Sequence, residues 1–197
     1  MVITVLFSSL TLTLCEAEFI PLKTNRKKHM KLTKLVAKPL TKEAFAQFGD
    51  VIELDGANHF PINEGRVERY HDLAKLEIDS QEGGRAIISF FKTNEARQFP
   101  YNFNLIERHP KGSQAFIPMF DAPVVVVAGP KDQEPSSAHL RAFLSNGRQG
   151  FNFHAGVWHM PLVCEKVDRL FVVIDRSGPG NNCDEFILEK ETIELTI

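Results

Sequence analysis

The stretch Pro123–Gly147 reads PVVVVAGPKDQEPSSAHLRAFLSNG, and its punctuation decides the fold class. Pro123–Ala128 (PVVVVA) is a short β-branched run that Gly129-Pro130-Lys131-Asp132 stops. His139–Leu144 (HLRAFL) resumes it, and Ser145-Asn146-Gly147 ends it, with Asn146-Gly147 a tight-turn signal between strands. Working outward, Ala86–Phe91 (AIISFF), Ala115–Met119 (AFIPM) and Leu170–Asp175 (LFVVID) repeat the pattern. Several short strands at this spacing predict a mainly β chain built as an antiparallel sandwich, jelly roll or closed barrel. One short helix is expected at Thr41–Gly49, with Thr41 as N-cap, Glu43 in the first turn and Gly49 as a left-handed stop. Phe45 and Phe48 would share its buried face, and Asp50–Glu53 would follow as a strand. No alternating βα pattern, Gly-rich phosphate loop, internal repeat or heptad is present.

The 197 residues are 43% hydrophobic and 24% charged, with a net charge of −2. That balance excludes disorder over the body of the chain and suits one domain with a sizeable core. Lys and Arg are scattered, which argues against a nucleic-acid partner; one or two Arg still suffice for a small carboxylate. Cys15, Cys164 and Cys183 form neither a disulfide framework nor a CxxC site, a pattern that fits the reducing cytoplasm. Val2–Leu14 is apolar but too short to span a bilayer, and it lacks the positive flank of a signal peptide. Lys23–Lys28 is basic, and Met30-Lys31-Leu32 reads as a fresh start. Residues 1–29 are therefore expected to be an over-long gene start or dispensable extension, with a transit or signal peptide as the alternative. Residues 30–197 are expected to be one catalytic domain, with no membrane partner.

The chemistry concentrates in two segments. Glu107-Arg108-His109-Pro110-Lys111-Gly112-Ser113-Gln114 sets His109 five residues before Gln114. His154-Ala155-Gly156-Val157-Trp158-His159 brings a second histidine pair to a Gly-containing bend. This layout resembles in part the metal motifs of cupins, in which H-x-H is followed five residues on by Glu, and P-x-G-x-x-H comes later. Glu107 stands at the first His position, His109 keeps the second, Gln114 replaces the Glu, His159 keeps the last ligand, and His154 takes the Pro position. Two imidazoles with oxygen donors suit a borderline divalent ion. The same residues also suit direct hydrogen bonding to an organic acid with no metal, and the spacing leaves both open. Arg66, Glu68 and Asp72 read as an exposed charged face around Val67 and Leu73. Asp175 either orients a histidine or pairs with Arg176, Trp158 is a core or pocket-wall aromatic, and Cys183 has no partner that would make it a nucleophile.

With these segments in view, the chain resembles the ureidoglycolate lyases. The resemblance runs from Met30 to about Glu191 and includes Val67-Glu-Arg-Tyr-His-Asp-Leu-Ala74, Glu107-Arg-His-Pro110, Gln114–Met119 and Leu140–Phe143. It continues through Val157-Trp-His159, Ile174-Asp-Arg176 and Asn182-Cys-Asp184. It implies a cupin-type antiparallel β-barrel, a homodimer, and cleavage of ureidoglycolate to glyoxylate and urea in allantoin use. It also implies nickel or another divalent metal, held by His109, Gln114 and His159, and no organic cofactor. His109, His159 and His154 then take catalytic roles. Arg69, Tyr70, His71, Arg108, Gln114 and Asp175 bind substrate, with the arginines gripping the carboxylate. Rival readings are a ureidoglycolate hydrolase releasing ammonia, a non-catalytic organic-acid sensor, and an oxygen-using iron cupin, for which the sequence offers no complete two-His-one-carboxylate set.

Overall fold

The computed structural model describes residues 31–81 and 83–197, so the expectations for residues 1–29, including Cys15 and His29, lie outside the described residues. In chain order the strands are β1 (Lys31–Val36), β2 (Lys38–Pro39), β3 (Gly49–Ile52), β4 (His59–Ile62), β5 (Val67–Tyr70) and β6 (Arg85–Lys92). Then come β7 (Tyr101–Phe103), β8 (Leu105–Arg108), β9 (Gln114–Pro118), β10 (Val125–Gly129) and β11 (Arg141–Leu144). The last are β12 (Gly150–Phe153), β13 (Trp158–His159), β14 (Leu170–Ser177), β15 (Asp184–Ile187) and β16 (Glu191–Thr196). All six strands read from the sequence, Asp50–Glu53 among them, are present, each within two residues of its expected bounds.

The three larger sheets stack in layers, the sandwich form of the expectation, with pairings mostly antiparallel. A six-stranded sheet, ordered β15-β8-β13-β10-β11-β2, lies between a five-stranded sheet, β3-β12-β9-β14-β6, and a three-stranded sheet, β1-β16-β7. Strand alternation sends Val124, Val126 and Ala128 into one core with Phe116, Phe151 and Phe171. Val125 and Val127 point the other way, into a second core with Trp158, Ile193 and Leu195. A central strand covered on both faces has no polar side to present, which explains the unbroken valine run.

The helix is shorter than expected. It spans Lys42–Phe45, with Thr41 Oγ1 accepting from Ala44 N and Glu43 in the first turn. Gly49 is not a left-handed stop; it opens β3, where a Cβ would overlap the Asn152 carbonyl oxygen of β12. The glycine answers to sheet packing rather than to helix termination. Asn146-Gly147 does turn, with Gly147 at φ 94°, but it joins β11 and β12, which belong to different sheets. Arg66, Glu68 and Asp72 are exposed as read, and β4 and β5 pair only with each other as a separate hairpin.

Candidate functional site

Strand pairing assembles the site. On β8, Glu107 faces the space between the two larger sheets, while Ile106 faces the second core. β13 pairs antiparallel with β8 so that His159 lies opposite Glu107, and its neighbours Trp158 and Met160 join Ile106. His109, two residues after Glu107, returns to the same side. The His109 and His159 rings are 5.2 Å apart between centroids, and Glu107 Oε1 is 3.6 Å from His159 Nε2. Phe153 stacks on the His159 ring at 4.2 Å and 14°, fixing the plane of an imidazole that is only 2% exposed.

The hydrogen bonds assign the tautomers. His109 Nδ1 is 2.7 Å from the Asn182 carbonyl oxygen, and His159 Nδ1 is 2.9 Å from that of Val157. A carbonyl only accepts, so both Nδ1 atoms carry the hydrogen and both Nε2 lone pairs face the site. Neither buried Nε2 has a hydrogen-bond partner among the described residues. An unsatisfied buried polar atom costs about 1–3 kcal/mol, so two side by side point to a ligand.

One loop holds the whole segment. Asn182 Oδ1 accepts from Lys111 N at 2.7 Å, which positions the Asn182 carbonyl under His109. Asp184 Oδ2 accepts from Arg108 Nε at 2.9 Å, and the Cys183 thiol reaches Glu107 Oε2 at 3.9 Å. Burial, followed by the neighbouring Glu107 carboxylate, raises the Cys183 thiol pKa, so this cysteine stays protonated and is no nucleophile.

Two further groups border the cluster. Gln114 opens β9 and Asp175 lies on β14 next in register to it, beyond the Ile174–Ala115 pair. Burial raises the Asp175 pKa, opposed by a hydrogen bond from the Gln114 side chain and by His109. A hydrogen bond with the His159 side chain, made when its Nε2 carries a proton, holds Glu107 below the usual carboxylate range, against burial acting the other way. Gln114 Oε1 and Asp175 Oδ1 are likewise buried without partners. Arg176 faces the opposite side, where its Nε donates to Asp79 O at 3.0 Å, so Asp175 is free to face the histidines.

Other residues singled out in the sequence lie elsewhere. Arg108 alternates away from Glu107 and stacks on Trp158, its guanidinium 4.5 Å from the ring centroid. Arg69 is exposed on the hairpin over the Phe60 ring, and Tyr70 stacks on His59. His154 and His71 line a different, outer cleft of about 480 Å³, together with Lys42, Asp50, Glu53 and Asp72. There Asp50 Oδ2 lies 3.3 Å from His154 Nε2 and accepts from Asn152 Nδ2 and Lys75 N. The sequence reading had not assigned roles to Glu107, Asn182 or Phe153. Glu107 was findable, because it occupies a ligand position of the H-x-H layout; the other two depend on contacts between distant segments.

The donor set fits a divalent cation. Glu107, His109 and His159 offer one carboxylate oxygen and two imidazole nitrogens, all within 4.8 Å of one another, which corrects the expectation that the chain has no complete two-His-one-carboxylate set. A carboxylate oxygen and an imidazole lone pair 3.6 Å apart repel unless a proton or a metal ion lies between them. Imidazole with carboxylate is a set that nickel, zinc or iron accepts. Gln114 Oε1 is a further uncommitted oxygen.

Comparison with known proteins then sets the context. The sequence profile of the ureidoglycolate lyase family matches residues 32–195. A ureidoglycolate lyase of Pseudomonas savastanoi pv. phaseolicola is 54% identical over 166 residues, 83% of this chain and 96% of that protein. One from Pseudomonas fluorescens is 54% identical over 163 residues, 82% of this chain and 96% of the relative. One from Stutzerimonas stutzeri is 53% identical over 158 residues, 80% and 91%. Among solved structures, a dTDP sugar isomerase from Desulfovibrio desulfuricans G20 aligns at a TM-score of 0.34 and 15% identity, over 72% of this chain and 85% of that one, too slight a likeness to bear on fold or function.

Proposed function

The chain belongs to the ureidoglycolate lyase family, and on that premise we propose that its cleavage of ureidoglycolate to glyoxylate and urea takes place at the inner cluster of Glu107, His109 and His159. The observation that carries this is the pair of buried, partnerless Nε2 atoms facing one space.

The substrate is a carbinolamide carrying a carboxylate. Its hydroxyl proton leaves, the C–O bond becomes a carbonyl, and the C–N bond breaks with its electron pair passing to nitrogen. That nitrogen takes a proton, so water is not consumed and nothing is oxidised. Asp175 is the residue suited to carry the proton, because burial raises its proton affinity toward the working range of a general acid–base. Gln114 holds the Asp175 carboxyl through its side chain and keeps Oε1 for the ureido N–H groups. Phe153 and Phe116, which wall the cavity, exclude water and so strengthen each of these contacts. Glu107, His109 and His159 would hold nickel or another divalent ion, which when bound supplies positive charge for the substrate's carboxylate and hydroxyl oxygens. That charge matters because Arg108 and Arg176, the arginines on the neighbouring strands, face away.

A second reading places turnover in the outer cleft, and volume favours it: about 480 Å³ there against about 40 Å³ beside His159. In that version the His154–Asp50 pair moves the proton and Lys42 receives the carboxylate. The test is incubation of metal-free and metal-supplemented protein with ureidoglycolate, with urea, glyoxylate and ammonia measured together. Equimolar urea and glyoxylate without ammonia is expected. Ammonia in place of urea would move the chain to the hydrolases, and absence of turnover with every metal would leave a binding protein.

The working form is proposed to be a homodimer acting on a small molecule in the cytoplasm, without an organic cofactor or nucleic acid. Cys164 and Cys183 are free, which suits that compartment. Among the described residues no helix is long and apolar enough to cross a membrane.

A further inference from the structure

The chamber beside His159 is smaller than the substrate proposed to react there. Its volume is about 40 Å³, room for roughly three waters at about 10–15 Å³ each. Ureidoglycolate brings a carboxylate, a hydroxyl and a whole ureido group, so part of the chamber wall has to move before it enters. Two residues of that wall, Phe91 and Leu162, also line a second cleft of about 530 Å³, between the segments 91–97 and 161–163. The cleft of His154 and His71 shares no lining residue with the chamber among the described residues. Hydrogen bonds tie the walls of the second cleft together. Arg97 N donates to Cys164 O at 2.8 Å, Thr93 Oγ1 to Lys166 O at 2.9 Å, and Arg169 N to Thr93 Oγ1 at 3.0 Å. With the backbone held, movement falls to the side chains.

We propose that Phe91 and Leu162 are the gate to the inner cluster and limit the size of the ureido acid that reaches it. The assignment rests on turnover at Glu107, His109 and His159, and adds the residues that decide which substrate arrives there. Phe91 is built to move. It lies on β6, the last strand of its sheet, is 37% exposed, and meets Phe116 edge-on at 5.8 Å. One edge-on ring contact is a small loss, and exposed side chains change rotamer within nanoseconds. Leu162, packed against the core, follows β13 outside any strand. The cleft outside the gate suits an anion, because Lys92 and Arg97 line it. Each is held by an exposed acid, Asp168 and Glu95, in a weak surface pair that a carboxylate can replace. The Phe91 ring swings out to admit the substrate and returns to rest on it with Leu162, which closes the chamber to water.

Two measurements on the full chain test the gate, with Phe91→Ala and Leu162→Ala to widen the passage and Phe91→Trp to narrow it. Circular dichroism should show the fold intact in all three. The first measurement needs no turnover. Diethyl pyrocarbonate acylates any imidazole Nε2 it can reach, and peptide mass spectrometry follows each histidine separately. After dialysis against a chelator, His159 should label several-fold faster in the alanine variants than in the parent, and more slowly in Phe91→Trp. His154 and His71, in the other cleft, should label at the parent's rate throughout. The second measurement is selectivity, as kcat/KM for ureidoglycolate methylated on its terminal nitrogen relative to ureidoglycolate itself. That ratio should rise about tenfold in Phe91→Ala, the lower end of what one methylene is worth in an apolar pocket, and fall in Phe91→Trp. His159 labelling that is unchanged in both alanine variants overturns the gate alone. Faster labelling with an unchanged selectivity ratio overturns turnover at the inner cluster, and with it the part of Phe91 in choosing the substrate.

Discussion

His154 and His159 stand five residues apart on one short segment, yet they end in opposite conditions. At the outer cleft, His154 Nε2 faces Asp50, whose carboxylate is also held by Asn152 and Lys75. In the inner cluster, His159 Nε2 and His109 Nε2 are buried with no partner. In the first arrangement the His154 Nε2 has its partner without a ligand, and the Asn152 amide nitrogen ties the segment around residue 75 to β3 and β12, although Asn152 Oδ1 is left unpaired. The second is incomplete until something with positive charge or hydrogen-bond donors arrives. The difference shows that a histidine beside a carboxylate marks a site only when its lone pair is left over.

The sharpest way to break this contrast is to remove one histidine from each side. His159→Ala and His109→Ala should each lower kcat/KM for ureidoglycolate by about 10²–10⁴-fold. His154→Ala should lower it by less than about tenfold. Steady-state urea release measures both, and the reverse ranking would move the chemistry to the outer cleft.

A smaller effect probes what holds the inner pair. Asn182→Ala frees the carbonyl under His109 and should weaken nickel or zinc binding by about 10–100-fold, measured by titration calorimetry. Asn182→Asp keeps the oxygen that accepts from Lys111 N and should retain most of the affinity. Equal affinities in the two variants would leave the loop without a positioning role.

The least drastic changes concern charge. Asp175 has its folded pKa raised, so the fold prefers its protonated form. The cost of ionising it is absent below its unfolded pKa, about 3.9, and fully present above the folded value. Asp175→Asn should therefore raise Tm at pH 7 while lowering turnover, and the gain in Tm should vanish near pH 3. Glu107 behaves in the opposite sense. Its folded pKa is lowered, so its contribution is present above about 4.3 and lost as pH falls through the folded value. Melting curves between pH 3 and 6 should be flatter for Glu107→Gln than for the parent.

Composition, turn residues and β-branched runs were enough to read the mainly β class, six of the strands, the Thr41 cap and the exposed charges around Arg66, because those signals are local. The H-x-H layout was enough to pair residue 109 with residue 159 as candidates, and it left Glu107 visible in a ligand position. What a side chain faces depended on pairing between segments far apart in the chain. Arg108 stacks on Trp158 because the register that sets His159 opposite Glu107 turns every second residue to the other face. His154 meets Asp50 because β12 pairs with β3, a contact across about a hundred residues that no local pattern encodes. Propensity acts within a few residues, whereas facing and lone-pair satisfaction are settled only when sheets close on one another.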